Sequence, residues 1–345
     1  MNRKAKTNWS RRQVIKGLSA SAAVGLLGLG PSRAMAEPPP ETKRIRLLAD
    51  PTFAIICYAP QLVAEQFLRM EGFTEISYSS YGPTYTEAEV LATGEADMSA
   101  AFASDYLVAI DGGAPISIIG GVHVGCVEVY ASNQVKTIHD LRGKRVVISV
   151  MGGAEHTLLS TIAAQVGIDA ENDFKWVENT EFATWPDMLA NDEVDAVAAF
   201  PPMSYELNDR KIGHVVLNTI SDDPWRHYFC CMLGAHTDFV KNYPVATKRA
   251  MRAMLKANAL CTQDPQTAAA MISQHGDEFG DQDQILRSLK DIPYDAWRNY
   301  DIAASLRFYA LRLHEAGLVN RTPNDLLKLA SDVEMFEELK LELKA

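Results

Sequence analysis

From Lys43 onward the chain alternates short strand-like runs with helical repeats. Lys43 to Leu48 alternates basic and apolar residues, as a half-buried strand does, and stops at Asp50-Pro51. Pro60 to Met70 places Leu62, Val63, Gln66, Phe67 and Met70 at helical spacing, with Pro60 suited to a first turn and Gly72 to the exit. Glu75 to Ser79 is a second strand. Tyr85 to Ala92 is a second helix closed by Gly94, and Ala96 to Ala103 is an apolar strand of small residues suited to a parallel sheet. A helix over Asp105 to Ile110 and a strand over Ile116 to Ile119 continue the alternation, so the first part predicts an α/β unit.

A fresh series begins after Val127 to Ala131. It contains strand Val146 to Val150, helix His156 to Val166, strand Phe174 to Val177, helix Trp185 to Asn191, and strands Ala196 to Phe200 and His214 to Asn218. Tyr228 to Leu233 is an apolar strand with no second-series helix behind it, which suggests a crossing back. Asp238 through Lys344 is helical, with boundaries at Asp264-Pro265, Ile292-Pro293 and Thr322-Pro323. Such a tail buries its apolar faces only against a preformed lobe. The expected organisation is therefore lobe one over 37–131 and 227–345, and lobe two over 132–226.

The first 36 residues read as an address label. Ser10 to Lys16, with Arg11 and Arg12, has the form of a twin-arginine signal; an apolar run from Leu18 to Leu29 and a small-x-small site at Ala34 to Ala36 follow. The run is too short to span a hydrocarbon core of about 30 Å, so cleavage after Ala36 and a periplasmic location are expected. The segment holds seven Lys or Arg and no acid, so the net charge of −11 becomes −18 once it is removed. That sign argues against nucleic acid and against an anionic membrane surface as partners. The remaining 309 of 345 residues, in a chain 47% hydrophobic, can bury two medium cores, and a soluble monomer is expected.

Five cysteines are too few and too irregularly spaced for a disulfide framework, and there is no CxxC pair. Cys230 and Cys231 are expected to point to opposite faces of a strand and to pack as small apolar residues. The eight histidines are scattered, with no pair on one helical face, so spacing supports no metal site and no cofactor. HExxH, GxSxG, the P-loop and the dinucleotide-binding glycine fingerprint are missing, which argues against an enzyme.

Three stretches carry a family likeness. Gly94-Glu95-Ala96-Asp97-Met98 precedes the third strand; Ile138 to Val146, with Asp140-Leu141-Arg142-Gly143-Lys144, leads into lobe two. Leu189 to Phe200, with Glu193-Val194-Asp195, precedes the later second-lobe strand, with Glu standing where a glycine is usual. In this order they resemble the type II periplasmic binding proteins of the nitrate, sulfonate and pyrimidine-precursor group, the NMT1/THI5-like and SsuA/TauA-like families. The resemblance covers about Lys43 to Leu339. It implies two α/β lobes, each a mixed sheet flanked by helices, that close on a small-molecule ligand for an ABC permease. The competing readings are a THI5-like pyrimidine-precursor synthase with iron-dependent cysteine and histidine chemistry, and a binding module for a membrane sensor.

In such an architecture ligands sit where strand C-termini and helix N-termini converge. The glycine turn Gly152, Gly153, Ala154, with Glu155 and His156, follows a strand and opens a helix, so its backbone N–H groups could hold an anionic or carbonyl oxygen. From lobe one come Thr52, Phe53, Tyr81, Tyr85, Ser104 and Asp105, the last either a ligand contact or a helix cap. Glu128, Phe182, Phe200 and Trp225 complete the set. Aromatics outnumber Lys and Arg among these positions, which favours a planar or partly apolar solute, nitrogen-containing or a sulfonate or carboxylate, over a bare oxyanion.

Overall fold

The structure is a computed structural model that describes residues 37–49, 55–80, 85–276 and 281–343. The export segment, Thr52, Phe53 and Tyr81 lie outside the described residues. Residues 39–345 form one compact unit. Its strands are β1 (Arg44–Leu48), β2 (Glu75–Ser79), β3 (Met98–Phe102), β4 (Ile116–Val124), β5 (Glu128–Ala131), β6 (Arg145–Ile148), β7 (Lys175–Glu178), β8 (Ala196–Ala199), β9 (His214–Asn218) and β10 (Phe229–His236). The helices within the two α/β series are α1 (Ile55–Val63), α2 (Glu65–Met70), α3 (Glu87–Thr93), α4 (Ala103–Asp111), α5 (Ala154–Gln165), α6 (Ala170–Asp173), α7 (Trp185–Ala190) and α8 (Met203–Asp209). The tail carries α9 (Thr237–Asn242), α10 (Pro244–Gln263), α11 (Pro265–Ile272), α12 (Gln282–Asp291), α13 (Ile302–Glu315), α14 (Pro323–Ala330) and α15 (Glu334–Glu342).

The strands form two five-stranded mixed sheets, ordered β2-β1-β3-β10-β4 and β7-β6-β8-β5-β9. In the first, β1 runs parallel to β2 and β3, and β10 is antiparallel to both β3 and β4. The second repeats the plan with β5 antiparallel to β8 and β9. Burial follows position: edge strand β2 is only partly buried along its length, whereas every residue of inner strand β3 is buried. Two expectations are corrected. Of Val127 to Ala131, placed on the first-lobe side of the boundary, Glu128 to Ala131 pair in the second sheet as β5. Pro60, expected in a first turn, lies inside α1.

The family-like turns have a shared physical cause. Asp97, just before β3, accepts hydrogen bonds from the backbone N–H of Arg46 at 2.8 Å and from its guanidinium. Asp195, just before β8, does the same for Arg145, at 2.8 Å to the backbone and 3.0 and 3.1 Å to the guanidinium. Each carboxylate ties the start of one strand to its parallel neighbour, a bidentate charge-assisted clamp that sets register.

Two crossover segments join the lobes and are bonded to one another. The N–H groups of Cys126 and Val127 donate to Thr219 Oγ1, whose hydroxyl donates to the Val127 carbonyl at 2.8 Å. Gly125 has φ +49°, and a Cβ there would come within 2.6 Å of Ile220 and Thr219 backbone atoms, so the close approach requires glycine. The helical tail docks on the first lobe, with α10 against α1 and α2. Glu71, at the end of α2, is held there by Arg252 and Lys256 of α10, each at 2.9 Å. Among the described residues no helix is long and apolar enough to cross a membrane.

Helix α5 is the exception to simple amphipathicity. Residues Ala154 to Ala163 are all buried, because this second-lobe helix packs against first-lobe helices α4 and α13. Its mix of Ala, Ser, Thr and Leu suits a helix covered on every side. One hydrophobic core is accordingly continuous between the sheets, and a smaller core around Trp185 and Leu207 covers the far face of the second.

Candidate functional site

Helix α4 follows β3 and α5 follows β6, so the first turns of both lie at strand C-termini, one from each lobe. The two helices pack together. Across the junction Thr157 Oγ1 donates to Ser104 Oγ at 3.0 Å. Asp105 and Glu155 are buried beside this contact, 2% and 3% exposed.

Each of these acids leaves one oxygen unused. Asp105 does not cap α4, which starts from Phe102 with no side-chain cap, and its Oδ2 has no partner among the described residues. Glu155 Oε2 accepts from Ser149 Oγ at 2.6 Å and more weakly from the Ser149 N–H at 3.4 Å, while Oε1 has no partner among the described residues. Burial pushes both carboxyl groups above their usual range, and the negative charges of Glu87 and Glu155 push Asp105 further. Glu87, in the first turn of α3, is itself buried and accepts from the Tyr58 hydroxyl at 2.8 Å.

The consequence is a proton- and cation-seeking site. A buried carboxylate oxygen without a partner is costly, and the cost is relieved by a proton or by a cationic or N–H-bearing guest. An oxyanion would meet like charge wherever either acid is ionised. The anion-cradle reading of the glycine turn weakens for the same reason: Glu155 sits at that helix start, and the Gly152 N–H is already given to His156 Nδ1 at 3.2 Å. Gly153 is the residue preceding the first turn, and Ala154 is buried in it. Burial lowers the His156 pKa, so its ring is neutral near pH 7, and it meets the edge of Trp176 at 4.9 Å.

The other expected residues fall in different places. Phe182 and Phe200 come together with centroids 6.0 Å apart at second-lobe strand ends, and Phe182 also packs on Trp185 at 4.6 Å. Glu128, half-buried, accepts from Asn218 at 2.8 Å and so braces the start of β5 against β9. Trp225 is 2% exposed and packs edge-on against Phe308 of α13 at 5.2 Å, as a core residue beside the return crossover. Tyr85 is 60% exposed.

Sequence reasoning passed over two groups. Glu87 and its partner Tyr58 carried a faint signal, an acid in a first turn behind a capping Thr86. The second group had none: Cys57, His123, Cys126 and Cys231 converge in the buried interior of the first lobe. Cys230 and Cys231 do not face opposite ways as expected. Register irregularities flank Cys231 in β10, so strict alternation fails there; Cys230 Sγ lies 3.6 Å from Cys126 Sγ and Cys231 Sγ lies 3.3 Å from Cys57 Sγ. The expectation of no metal site was argued from linear spacing, which does not register residues brought together from distant parts of the chain.

Solved structures resemble the whole two-lobed arrangement. The nitrate-binding protein NrtA from Synechocystis PCC 6803 superposes with a TM-score of 0.71 at 16% identity, over 89% of this chain and 90% of that one. The alkanesulfonate-binding protein SsuA from Xanthomonas axonopodis pv. citri, bound to MOPS, gives 0.63 at 18% identity, over 83% and 96%. The aliphatic sulphonate binding protein SsuA from Escherichia coli gives 0.60 at 18% identity, over 81% and 95%. At such identities the likeness is one of fold, the two-lobed periplasmic binding protein fold. No curated protein sequence matches the chain. The profile described as NMT1/THI5 like matches residues 64–268, more than half of the chain, from the start of α2 through the second lobe and into α11. The chain belongs to the NMT1/THI5-like family.

Proposed function

We propose that the protein is the exported solute-binding component of an ABC importer, and that its interlobe site takes a small organic solute presenting a protonated nitrogen or an N–H donor edge. The observation that carries this reading is the pair of unpartnered carboxylate oxygens, Asp105 Oδ2 from one lobe and Glu155 Oε1 from the other. A guest that bridges them makes contacts available only when the lobes are together, so binding stabilises the closed form that a permease would recognise. Phe182 and Phe200, which pack together at second-lobe strand ends, are the aromatic faces proposed to take a flat solute. Sulfonates and nitrate, the ligands named for the related structures, are disfavoured by the buried acids. No catalytic step is assigned.

The twin-arginine segment and the small-x-small site support export across the cytoplasmic membrane and a mature chain beginning after Ala36, which we propose acts as a monomer. Mass spectrometry of the periplasmic fraction would check that N-terminus. The ligand class is tested by thermal shift and calorimetry against small amines, pyrimidines, alkanesulfonates and aromatic acids. A cognate solute at 100 times its Kd stabilises the folded state by about 2.7 kcal/mol. Binding of amines or basic pyrimidines, and none of sulfonates, is expected; a sulfonate that binds with Asp105 ionised would overturn the proposal.

A further inference from the structure

The cysteine and histidine cluster in the first lobe is built as a metal site. Four ligand atoms, Sγ of Cys57, Cys126 and Cys231 and a ring nitrogen of His123, all lie within 4.8 Å of one another. The Cys57–Cys126 and Cys57–Cys231 separations are 3.9 and 3.3 Å. A tetrahedral zinc ion with Zn–S of about 2.3 Å and Zn–N of about 2.0–2.1 Å holds its ligand atoms roughly 3.5–3.8 Å apart, so the spacing brackets what the ion requires. None of the four residues is more than 2% exposed, and all three cysteines are free thiols.

The histidine supplies a second, independent observation. His123 Nδ1 lies 3.2 Å from the Gly125 carbonyl, which can only accept, so Nδ1 carries the proton. The other nitrogen, Nε2, is then a bare acceptor; it is buried and has no partner among the described residues. A carbonyl that accepts from one ring nitrogen, fixing the tautomer and leaving the other nitrogen's lone pair free, is how metal-bound histidines are commonly oriented. Left empty, that nitrogen incurs the cost of a buried unsatisfied acceptor.

We propose that Cys57, His123, Cys126 and Cys231 bind one Zn2+ ion. The donor set is soft, which suits Zn2+ or Cu+ and disfavours hard cations. With three thiolates the Zn2+ site carries one net negative charge and the Cu+ site two, and in a buried pocket the smaller charge is favoured. Cys230 stands 3.6 Å from Cys126 Sγ and can donate its S–H to that thiolate.

The position gives the ion a mechanical role. Cys126 belongs to the outgoing crossover and its N–H is bonded to Thr219 of the returning one. Cys57 lies in α1, while His123 and Cys231 lie in β4 and β10. Zinc would staple the crossover to the first lobe, so that closing motions pivot on its second-lobe side. The inference does not depend on what the interlobe site binds.

The full-length chain, purified after expression in zinc-supplemented medium, should contain one zinc per molecule by elemental analysis. The same protein loaded with Co2+ should show the thiolate-to-metal charge transfer and visible bands of a tetrahedral site. Cys231→Ser and Cys126→Ser should lose the metal, whereas Cys261→Ser, a buried cysteine of α10 outside the cluster, should keep it. Should the single-ligand variants fail to fold, titration of Zn2+ into chelator-treated wild type against a chromophoric competitor decides the matter. Protein that takes up no zinc there, or that shows Cys57–Cys231 and Cys126–Cys230 disulfides by mass spectrometry under non-reducing conditions, refutes the site. Stoichiometric copper or iron in place of zinc refutes the assignment of the ion.

Discussion

Asp105 and Glu155 carry a pH signature whose sign follows from their burial. Both carboxyl groups hold a proton to higher pH in the folded chain than in the unfolded one, chiefly through desolvation. Between the ordinary Asp value of 3.8 and the raised folded value, the unfolded state therefore binds fewer protons, and stability falls as pH rises. Asp105→Asn removes that ionisation, so urea denaturation of the ligand-free variant at stepped pH should give a flatter profile than wild type across the window. A cationic solute reverses the preference by holding the carboxylates ionised. Its affinity should rise with pH through the same window, and calorimetry in buffers of different ionisation enthalpy should detect protons released on binding. Asp105→Asn and Glu155→Gln should each weaken such a ligand by about 1.5–3 kcal/mol, the worth of a hydrogen bond to a charged group, while the chain stays folded. Equal affinity in wild type and both variants would remove these acids from the site. Both were visible in the sequence, since an acid in a helix's first turn behind a strand is a local pattern. That their outer oxygens have no partner was not visible, because it depends on α4 and α5 packing across the lobes.

At the scale of elements, the turns that carried the family likeness are clamps, and they predict stability and not affinity. Arg145 holds the Asp195 carboxyl below its ordinary range through a side-chain hydrogen bond, against the opposing effect of burial. The stabilisation is fully present above the unfolded value of 3.8 and is lost as pH falls through the depressed folded value, opposite in direction to Asp105. Asp195→Ala also strands the Arg145 backbone N–H, so a loss of about 1–3 kcal/mol in urea unfolding is expected, with ligand affinity retained in the folded fraction. A variant as stable as wild type would reduce the turn to a coincidence of sequence. Elements whose information is local were legible: β9 from His214 to Asn218 matches its expected span, and Gly94 closes α3 in the left-handed conformation at φ +76°. Elements shaped by their neighbours were less so. The irregular register around Cys231 breaks the period-two rule on which the facing of Cys230 and Cys231 was argued, and Cys57 and Cys231 stand 174 positions apart in the chain. No spacing rule reaches that far. β5 was assigned to the wrong side of the boundary because a strand's composition does not say which sheet will pair it.

For the molecule as a whole, the contacts between lobes set how easily the site opens. One set is buried, α5 against α4 and α13. The other lies at the surface, where α8 of the second lobe meets α12 of the first. There the Tyr205 hydroxyl donates to Asp291 at 2.7 Å, the Arg287 guanidinium lies 3.8 Å over the Tyr205 ring, and Arg287 pairs with Asp209 at 3.6 Å. The exposed ion pair is worth about 0–1 kcal/mol and the cation–π contact about 0.5–1 kcal/mol. The phenol-to-carboxylate bond adds about 1.5–3 kcal/mol, less what solvent screens. A latch of this size does not lock the lobes, but it shifts a two-state equilibrium appreciably, since 1.4 kcal/mol is a factor of ten. A ligand that binds only the closed arrangement has its affinity reduced by the fraction of molecules that are open. Tyr205→Phe keeps the ring for Arg287 and removes the bond to Asp291, and Arg287→Ala removes the cation. Both sites are at the surface, so thermal stability of the liganded protein should change little. The ligand-free variants should show a larger radius of gyration by small-angle scattering, and ligand affinity should fall up to about tenfold for Tyr205→Phe. High salt should mimic Arg287→Ala and leave Tyr205→Phe less affected, because screening acts on the ion pair first. Wild-type scattering together with wild-type affinity in both variants would mean that the buried helix junction alone holds the lobes together.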